Sequence, residues 1–512
     1  MLDDVFWPGL LSITIMYLAV FFVGVWASRG APEPSGEGDD ALVELLLAGR
    51  TLPAWVGLLT MTATWVGGGY INGTAEQTFT SGVLWGGQAG LGYALSLVVG
   101  GLFYAARMRR MGYTTLIDPL EQRFGRGMAF ALTIPAVLAE VLWSAAILVA
   151  LGSTFGTIIG LDLKLSIIVS AAVAIAYTVF GGLRAVAWTD VFQLFLIVAG
   201  LGLAAPYVVG AVGGWGTIAD AVTLSVSSPR EAWSWSDYTV LLVLGGIPWN
   251  VYFQRVLSSP TPEAARRTSL LAGVLCAAMA VPPMVLGLAA TQLTGADLGP
   301  GGDATLAAMT EQPALVLPYV LRYAVPQWVG VLGLGAVAAA VMSSVDSSML
   351  SAASLLSWNG YRRLLNPSAS AEQVARLVRW LIVVLGIFAT VVALTYSSVS
   401  ALWYLCGDLV YCILFPQLTA ALFDPKANRT GALAGLSVSI VLRLAGGEGT
   451  LGLPNLLYPD PIDGIEWPFR TVAMLGGLTT LLLVSRLTGR MDPPKPAPLS
   501  GREAQAEGAL AT

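Results

Sequence analysis

The chain has 512 residues, of which 56% are apolar and only 11% charged, against about 25% charged residues in soluble domains. With a mean hydropathy of +0.73, this composition excludes a soluble globular domain. The net charge of −5 says nothing about partners, because the charges lie in connecting loops and serve topology.

Apolar runs of roughly 20 residues, long enough to cross a hydrocarbon core about 30 Å thick, recur along the chain. In order they predict about 13 membrane-spanning helices. The first covers 6–27; it lacks a basic leader, so it reads as a true span and not a cleaved signal. A Pro/Gly/Glu-rich loop, Gly30–Asp40, leads to spans at 52–78 and 83–106, where Arg107, Arg109 and Arg110 stop the chain. Spans at 127–160, 164–182 and 188–212 follow, then a Trp- and Ser-rich loop with Trp233 and Trp235. The seventh and eighth spans cover 237–257 and 265–293, and an amphipathic piece near Ala314–Arg322 precedes the ninth, 327–358. Spans at 373–396, 398–422, 429–445 and 468–486 complete the set. The tail from Met491 is rich in Pro, Ala and Glu and is expected to be disordered. Cytoplasmic loops collect Lys and Arg. With the N-terminus outside and the C-terminus cytoplasmic, all but Lys164, Arg230, Arg322, Arg443 and Arg470 of the 26 basic residues fall on the cytoplasmic side.

The second span carries three consecutive glycines, Gly67, Gly68 and Gly69. Glycine costs about 1 kcal/mol per residue against alanine in a helix, so this triplet is expected to unwind the span at its middle. Unwinding there frees the carbonyls of Ala63 to Val66, whose amide partners would lie at Gly67 to Tyr70. Bare backbone at membrane depth is tolerated only where it is buried in protein or lines a cavity. Free carbonyl oxygens suit a hard cation such as Na⁺, and Trp65 lies among them. The seventh span is broken in the same way by Gly245-Gly246-Ile247-Pro248-Trp249, since Pro248 cannot donate a backbone bond. The two breaks are five spans apart, an odd number, so successive five-span units have opposite topology. Paired Gly/Pro-interrupted spans of this kind point to an inverted-repeat transporter with its site at the membrane midplane.

Several stretches resemble the sodium:solute symporter family, and within it the choline branch. They are Thr62-Ala-Thr-Trp-Val-Gly-Gly-Gly-Tyr-Ile-Asn-Gly-Thr-Ala-Glu76, Gly245-Gly-Ile-Pro-Trp-Asn-Val-Tyr-Phe-Gln-Arg-Val-Leu-Ser258, Ala339-Ala-Val-Met-Ser-Ser-Val-Asp-Ser-Ser348, Asp408-Leu-Val-Tyr and Phe415-Pro-Gln-Leu418. The resemblance implies an all-α polytopic protein with a LeuT-type five-plus-five inverted repeat and two broken helices, coupled to Na⁺, with choline as substrate and a chloride requirement. On this reading 1–51 is the first transmembrane helix and a cytoplasmic loop, and 52–422 is the inverted-repeat transport core. Residues 423–490 form two peripheral helices, and 491–512 a disordered cytoplasmic tail.

The family's sodium positions map onto the carbonyls of Ala63 and Val66 with Ala340, Ser343 and the Ser344 hydroxyl. Ala340, Ser343 and Ser344 stand at i, i+3 and i+4, hence on one helix face; paired serines also serve close helix packing or bond back to the preceding turn. Asp190, in Trp188-Thr-Asp-Val-Phe-Gln193, matches a carboxylate linked in some members to a further cation. A quaternary ammonium offers no N–H donor, so aromatic faces must recognise it, at about 0.5–2 kcal/mol per cation–π contact. Trp65, Tyr93, Trp143 and Trp249 are the expected cage: Trp65 and Trp249 lie at the breaks, and Tyr93 and Trp143 match the choline branch. Most of the 16 tryptophans belong to interfacial belts or packing, and Trp7, Trp26, Trp55, Trp328 and Trp467 read that way.

Intramembrane acids are functional candidates by default. Glu140, three residues before Trp143, either attracts the substrate or, as favoured here, forms a structural ion pair or bonds an amide of a broken helix. Asp346 is placed to organise the serines of the ninth span; for Glu76 and Asp408 no role is assigned. Because no mid-membrane Arg is visible, a symporter for betaine, proline or a carboxylate is the less favoured alternative, and a non-transporting sensor on the same fold is another. No nucleotide, nucleic-acid or catalytic fingerprint occurs, so no enzyme and no nucleic-acid partner is expected. The scarcity of Lys beside Arg suggests a bacterial inner membrane as the location. Nothing in the sequence specifies an oligomeric state.

Overall fold

Inside a bilayer no water serves the backbone, so each apolar run must close its own hydrogen bonds as a helix. The computed structural model describes residues 6–29, 39–160, 162–179, 182–224, 226, 228–396, 398–449, 452–459 and 465–496, and within them the chain is helical almost throughout. The expected disordered tail lies, from residue 497, outside the described residues, as does most of the Gly30–Asp40 loop.

Helix α1 spans Trp7–Arg29. A short helix, Asp39–Leu47, then precedes α2 (Ala54–Trp65) and α3 (Gly68–Ser81). Next come α4 (Gln88–Val99), α5 (Arg126–Ile159), α6 (Leu163–Thr178) and α7 (Leu183–Ala211). The second half begins with α8 (Pro229–Gly245) and α9 (Asn250–Leu257), then α10 (Pro262–Met279) and α11 (Val281–Ala290). Helices α12 (Gln327–Leu355), α13 (Ala371–Thr395), α14 (Val399–Leu409) and α15 (Phe415–Phe423) complete that half. Helices α16 (Arg429–Ala445) and α17 (Phe469–Thr488) end the described chain. The two halves, 54–211 and 229–423, each open with a broken helix and each place their longest continuous helix third.

Among the described residues ten helices are long and apolar enough to cross a membrane. The other three expected spans are helical, but the second is interrupted and α6 and α16 have only 16 and 17 residues. At about 1.5 Å per residue those two are about 24–26 Å long, short of a full hydrocarbon core. The seventh span also starts earlier than expected. Trp233 and Trp235 lie inside α8, whose Ser228 cap accepts a bond from the Glu231 amide at 3.1 Å, with Pro229 in the first helical position. The Ser-Pro-Arg-Glu run carries the signature of a helix start, which mean hydropathy does not register.

The break in the second span is narrower than the glycine triplet. Only Val66 (φ −86°, ψ 52°) and Gly67 (φ −90°, ψ −173°) leave the helix, and Gly68 and Gly69 already belong to α3. Gly67 and Gly68 are also demanded by packing. A Cβ on Gly67 would lie 1.4 Å from Ser344 Oγ, and one on Gly68 2.2 Å from Val341 Cγ2. The broken helix is thus pressed backbone-first against α12. The second break runs from Gly246 to Trp249, whose φ of −99° and ψ of 132° are extended.

Helices α5 and α12 are buried nearly all round, whereas α1, α13 and α17 expose most of their surface as apolar side chains, as expected of a lipid-facing perimeter. Trp7, Trp26, Trp55 and Trp328 are exposed, in keeping with a belt role. Helices α16 and α17 pack tightly on each other: a Cβ at Gly477 would fall 1.8 Å from Ser439 Oγ, the small-residue contact usual in membranes. They are tied to the core by a buried ion cluster. Asp408 of α14 accepts bonds from Arg443 Nε at 2.8 Å and Arg470 Nε at 2.9 Å, and Arg470 reaches Glu466 at 2.8 Å. This assigns Asp408 a structural role. Removing one partner of a buried pair costs about 3–5 kcal/mol, whereas an exposed pair such as Arg376–Glu372 contributes about 0.5 kcal/mol or less. Asp408→Leu should therefore lower the melting temperature in detergent far more than Glu372→Ala, measured side by side.

Candidate functional site

The carbonyls released at the end of α2 are taken up by serine hydroxyls of α12. Ser343 Oγ lies 3.2 Å from the Ala63 carbonyl oxygen and 2.8 Å from that of Ala340, and Ser344 Oγ lies 3.3 Å from the Thr64 carbonyl oxygen. Val66 is the residue at which the helix departs. The structure therefore brings Ala63, Ala340, Ser343 and Ser344 together beside Val66, and adds the Thr64 carbonyl, which was not singled out. Ser343 has one proton and two carbonyls within reach, so this oxygen cluster holds more acceptors than protons. A small cation satisfies such a cluster where hydrogen bonds cannot. All the donors are neutral hard oxygens, and no group of three or more His, Cys, Asp or Glu among the described residues could hold a metal ion. That donor set fits Na⁺ and not a transition metal.

Asp190 is not part of this oxygen cluster. Its Oδ2 accepts a bond from Thr60 Oγ1 at 2.5 Å and faces Arg255 Nη2 at 3.3 Å, both charged side chains being fully buried. Arg255 also donates to Ser347 Oγ at 2.5 Å, and Ser347 donates to the Ser343 carbonyl at 2.8 Å. Asp190 thus reaches the serines through a guanidinium and a hydroxyl. Arg255 is fully buried although it lies only two residues from the end of the broken seventh span.

The four expected aromatics meet in one buried cluster. The Trp65 ring stacks on Tyr93 at 4.9 Å and on Trp143 at 5.1 Å, and Trp249 stands edge-on to Trp143 at 4.7 Å and to Trp65 at 6.4 Å. Gly69 faces the Trp143 indole, whose Nε1 would lie in ordinary contact, 3.9 Å from a Cβ there. Two further aromatics belong to the cluster. Tyr70 stacks on Tyr93 at 6.4 Å, and Trp403 of α14 lies 5.5 Å from Tyr93 and donates its indole N–H to the Tyr93 hydroxyl. Trp403 sits in an apolar run with no break or polar neighbour to mark it, and Tyr70 adjoins the glycines but carried no cage signal of its own. Trp65 belongs to the same broken segment that supplies the Ala63 and Thr64 carbonyls, so one hinge serves both clusters.

Polar contacts close the cage from both sides. On one side, Glu140 Oε1 accepts the Ser351 hydroxyl at 2.6 Å and the Val251 amide at 3.3 Å. Val251 opens α9, so Glu140 does bond a broken-helix amide. Asn250 donates to Ser351 Oγ at 3.0 Å and accepts from the Leu116 amide at 3.0 Å. Asp346 Oδ1 accepts a bond from Thr178 of α6 at 2.8 Å. On the other side, Glu76 accepts bonds from Ser398 and Ser400 at 2.8 and 2.9 Å.

Residues 45–439 match the sequence profile of the Sodium:solute symporter family. The chain belongs to that family. As a member of the sodium:solute symporter family it is a sodium-coupled membrane transporter and not an enzyme. It is 45% identical to the high-affinity choline transporter 1 of Caenorhabditis elegans, over 93% of this chain and 84% of that one. It is 42% identical to the human high affinity choline transporter 1, over 94% and 85% of the two chains. The sodium/glucose cotransporter of Vibrio parahaemolyticus is 25% identical over 85% of each chain. In fold, the chain is similar to a Na⁺-coupled sialic acid symporter in a substrate-bound outward-open state, with a TM-score of 0.75, 20% identity and coverage of 94% and 98%. A nucleobase-cation-symport-1 family transporter in a closed conformation also matches, with a TM-score of 0.53, 14% identity and coverage of 94% and 100%. The symporter family and these neighbours share the LeuT-type architecture expected of two broken helices.

Glu140 offers a direct check on the inner closure. Glu140→Gln keeps an acceptor for Ser351 and Val251, whereas Glu140→Leu strands both donors at about 1–3 kcal/mol each. In detergent the Leu variant should melt well below the wild type, and the Gln variant close to it.

Proposed function

We propose that this symporter imports choline, or a closely similar quaternary ammonium, together with Na⁺ by alternating access. The observation that carries this reading is the joint position of two sites on one hinge. A neutral oxygen cluster at Ala63, Val66, Ala340, Ser343 and Ser344 serves as the sodium site, and Trp65, Tyr93, Trp143 and Trp249 close around the substrate. The identity of 41–45% to high-affinity choline transporters supports the same substrate. A permanent cation without N–H donors needs aromatic faces and no fixed anion pair, and the four-ring cluster answers that need. A zwitterion or carboxylate would need a free guanidinium or amide-rich helix end, whereas Arg255 is committed to Asp190 and Ser347.

In this mechanism Na⁺ draws the Ala63 carbonyl and the two serine hydroxyls onto one centre and fixes the hinge, which sets the Trp65 ring. Substrate bound among the rings separates them and replaces ring–ring contacts with cation–π contacts. Asp190 is the carboxylate available to a further cation, one that must displace the Arg255 guanidinium. The chloride requirement rests on the likeness to the choline branch. The excess of basic residues in alternate loops supports an outside N-terminus and a cytoplasmic C-terminus, and composition supports a bacterial inner membrane.

Proteoliposomes given an inward Na⁺ gradient should accumulate labelled choline, and replacing Na⁺ by K⁺ should abolish this. Chloride replacement by gluconate should slow it. Ser344→Ala should raise the half-saturating Na⁺ concentration about tenfold, and Trp65→Ala should abolish uptake in protein that still folds. Each inward monovalent cation gains about 2.3 kcal/mol per 100 mV, so an inside-negative potential should accelerate uptake. Accumulation of betaine or proline in place of choline would contradict the substrate assignment and leave the sodium site standing. Choline binding without any accumulation would favour the sensor.

A further inference from the structure

Glu76 is a buried acid that the transport cycle outlined above does not use. It lies near the outer end of α3 and is only 4% exposed. Its Oε1 accepts hydroxyl protons from Ser398 at 2.8 Å and Ser400 at 2.9 Å, and the backbone amides of Val399 and Ser400 face the same carboxylate. Ser398 is at the same time the cap of α14, accepting the Ala401 amide at 3.2 Å. The acid is therefore seated on the first turn of α14, where a helix N-terminus favours negative charge. Its other oxygen, Oε2, is buried and has no hydrogen-bond partner.

What this contact closes is visible one turn below it. Gly73, three residues before Glu76, faces α14: a Cβ there would make ordinary contact, 3.4 Å from the Trp403 ring and 3.7 Å from Val399 Cγ1. Trp403 in turn rests on Tyr93 of the cage and holds its hydroxyl. On its outer side Trp403 stacks on Tyr404 at 5.3 Å, and Tyr404 is anchored to Gln88 Oε1 at 2.8 Å. From the cage outward the rings thus run Tyr93, Trp403, Tyr404, with the Glu76 carboxylate beside them. Parting α3 from α14 is the movement that would uncover Trp403. The same movement strips the two serine hydroxyls from Glu76 and leaves a bare carboxylate next to an aromatic face.

We propose that Glu76 with Ser398 and Ser400 is the outer latch of the cage and that, once released, Glu76 and Trp403 form an access subsite for the cationic substrate. The inference rests on the reading that the substrate is a quaternary ammonium. A carboxylate supplies attraction at a distance and the ring supplies a face at contact, so the subsite collects the cation while the outer path is open. Binding of the cation further in frees the carboxylate to return to the two serines, which closes the path behind it.

The two roles separate by substitution. Glu76→Gln keeps an acceptor for the serines but removes the charge, whereas Ser398→Ala with Ser400→Ala keeps the charge and removes the latch. In proteoliposomes Glu76→Gln should raise half-saturating choline about fivefold or more, with a smaller fall in maximal rate, and Glu76→Asp should recover part of the loss. At fixed Na⁺, the half-saturating choline of the wild type should rise with ionic strength, and that of Glu76→Gln should not; a purely structural role does not produce that difference. For the latch, Gly73→Cys places a thiol in the α3–α14 seam, while Cys276, Cys406 and Cys412 are buried. Its reaction with a membrane-impermeant thiol reagent should speed up about threefold or more when both serines are replaced. Unchanged half-saturation in Glu76→Gln, or an unchanged salt dependence, overturns the subsite. Unchanged labelling in the double serine variant overturns the latch. If the wild type takes up no choline at all, the functional reading fails and this inference with it, a result distinct from normal wild-type uptake with indifferent Glu76 variants.

Discussion

The close approach of a broken helix to α12 is the contact on which the rest of the site depends. Gly67 and Gly68 lie where any side chain would collide with Ser344 or Val341. Only because that gap is filled by backbone can the hydroxyls of Ser343 and Ser344 reach the carbonyls of Ala63 and Thr64. A membrane helix with free carbonyls is stable only if something else satisfies them. Here hydroxyls of a neighbouring helix do so incompletely, which leaves a place for a small cation. The segment that offers the carbonyls also carries Trp65, so whatever fixes the hinge fixes one wall of the aromatic cage. On the proposed reading, coupling between Na⁺ and the organic cation needs no longer path than the bond between Thr64 and Trp65.

The cage itself is held shut by polar contacts and not by ring packing alone. Offset or edge-on ring pairs contribute only about 0.5–1.5 kcal/mol beyond their burial, and a cation inserted among them replaces one weak contact with another of similar size. Below the rings, the Glu140 and Asn250 bonds to Ser351 join the first half of the repeat, the broken seventh span and α12. Above them, Glu76 joins α3 to α14. Each closure is a handful of hydrogen bonds, each contributing about 0.5–1.5 kcal/mol net. Both are therefore cheap enough to open alternately, as alternating access requires, while the Asp408–Arg443–Arg470 cluster keeps α16 and α17 fixed to the core.

Much of this was legible in the sequence, because breaks in apolar helices are written in glycine and proline. The triplet at Gly67–Gly69 and the Gly-Gly-Ile-Pro run at Gly245–Pro248 located both hinges, and with them two of the four clustered rings, Trp65 and Trp249. What the triplet does was only partly legible. One glycine unwinds the helix and another allows close packing, and the two needs look alike in sequence, since each asks only for a missing Cβ. Beyond the sets that the family resemblance brought together, contacts between distant spans were not legible. Asp408 meets Arg443 and Arg470, Asp190 meets Arg255, and Trp403 meets Tyr93 only after the chain has folded. The burial of Arg255 was hidden for a related reason: hydropathy judges a residue by its neighbours along the chain, whereas a buried guanidinium is tolerated because of a carboxylate supplied by another helix. Ser228-Pro-Arg-Glu was readable as a helix start but was outweighed by the polar character of the residues around it.

The central claim is that one hinge links the two sites, and equilibrium binding tests it without transport. Coupling free energy is reciprocal, so Na⁺ should tighten choline binding by the same factor by which choline tightens Na⁺ binding. Titrating purified protein with labelled choline in Na⁺ and in K⁺, and with Na⁺ at zero and saturating choline, gives both factors. Equal factors of about five or more, both reduced to one by Ser344→Ala with choline affinity in K⁺ unchanged, are the predicted result. Choline affinity that is the same in Na⁺ and in K⁺ would contradict it.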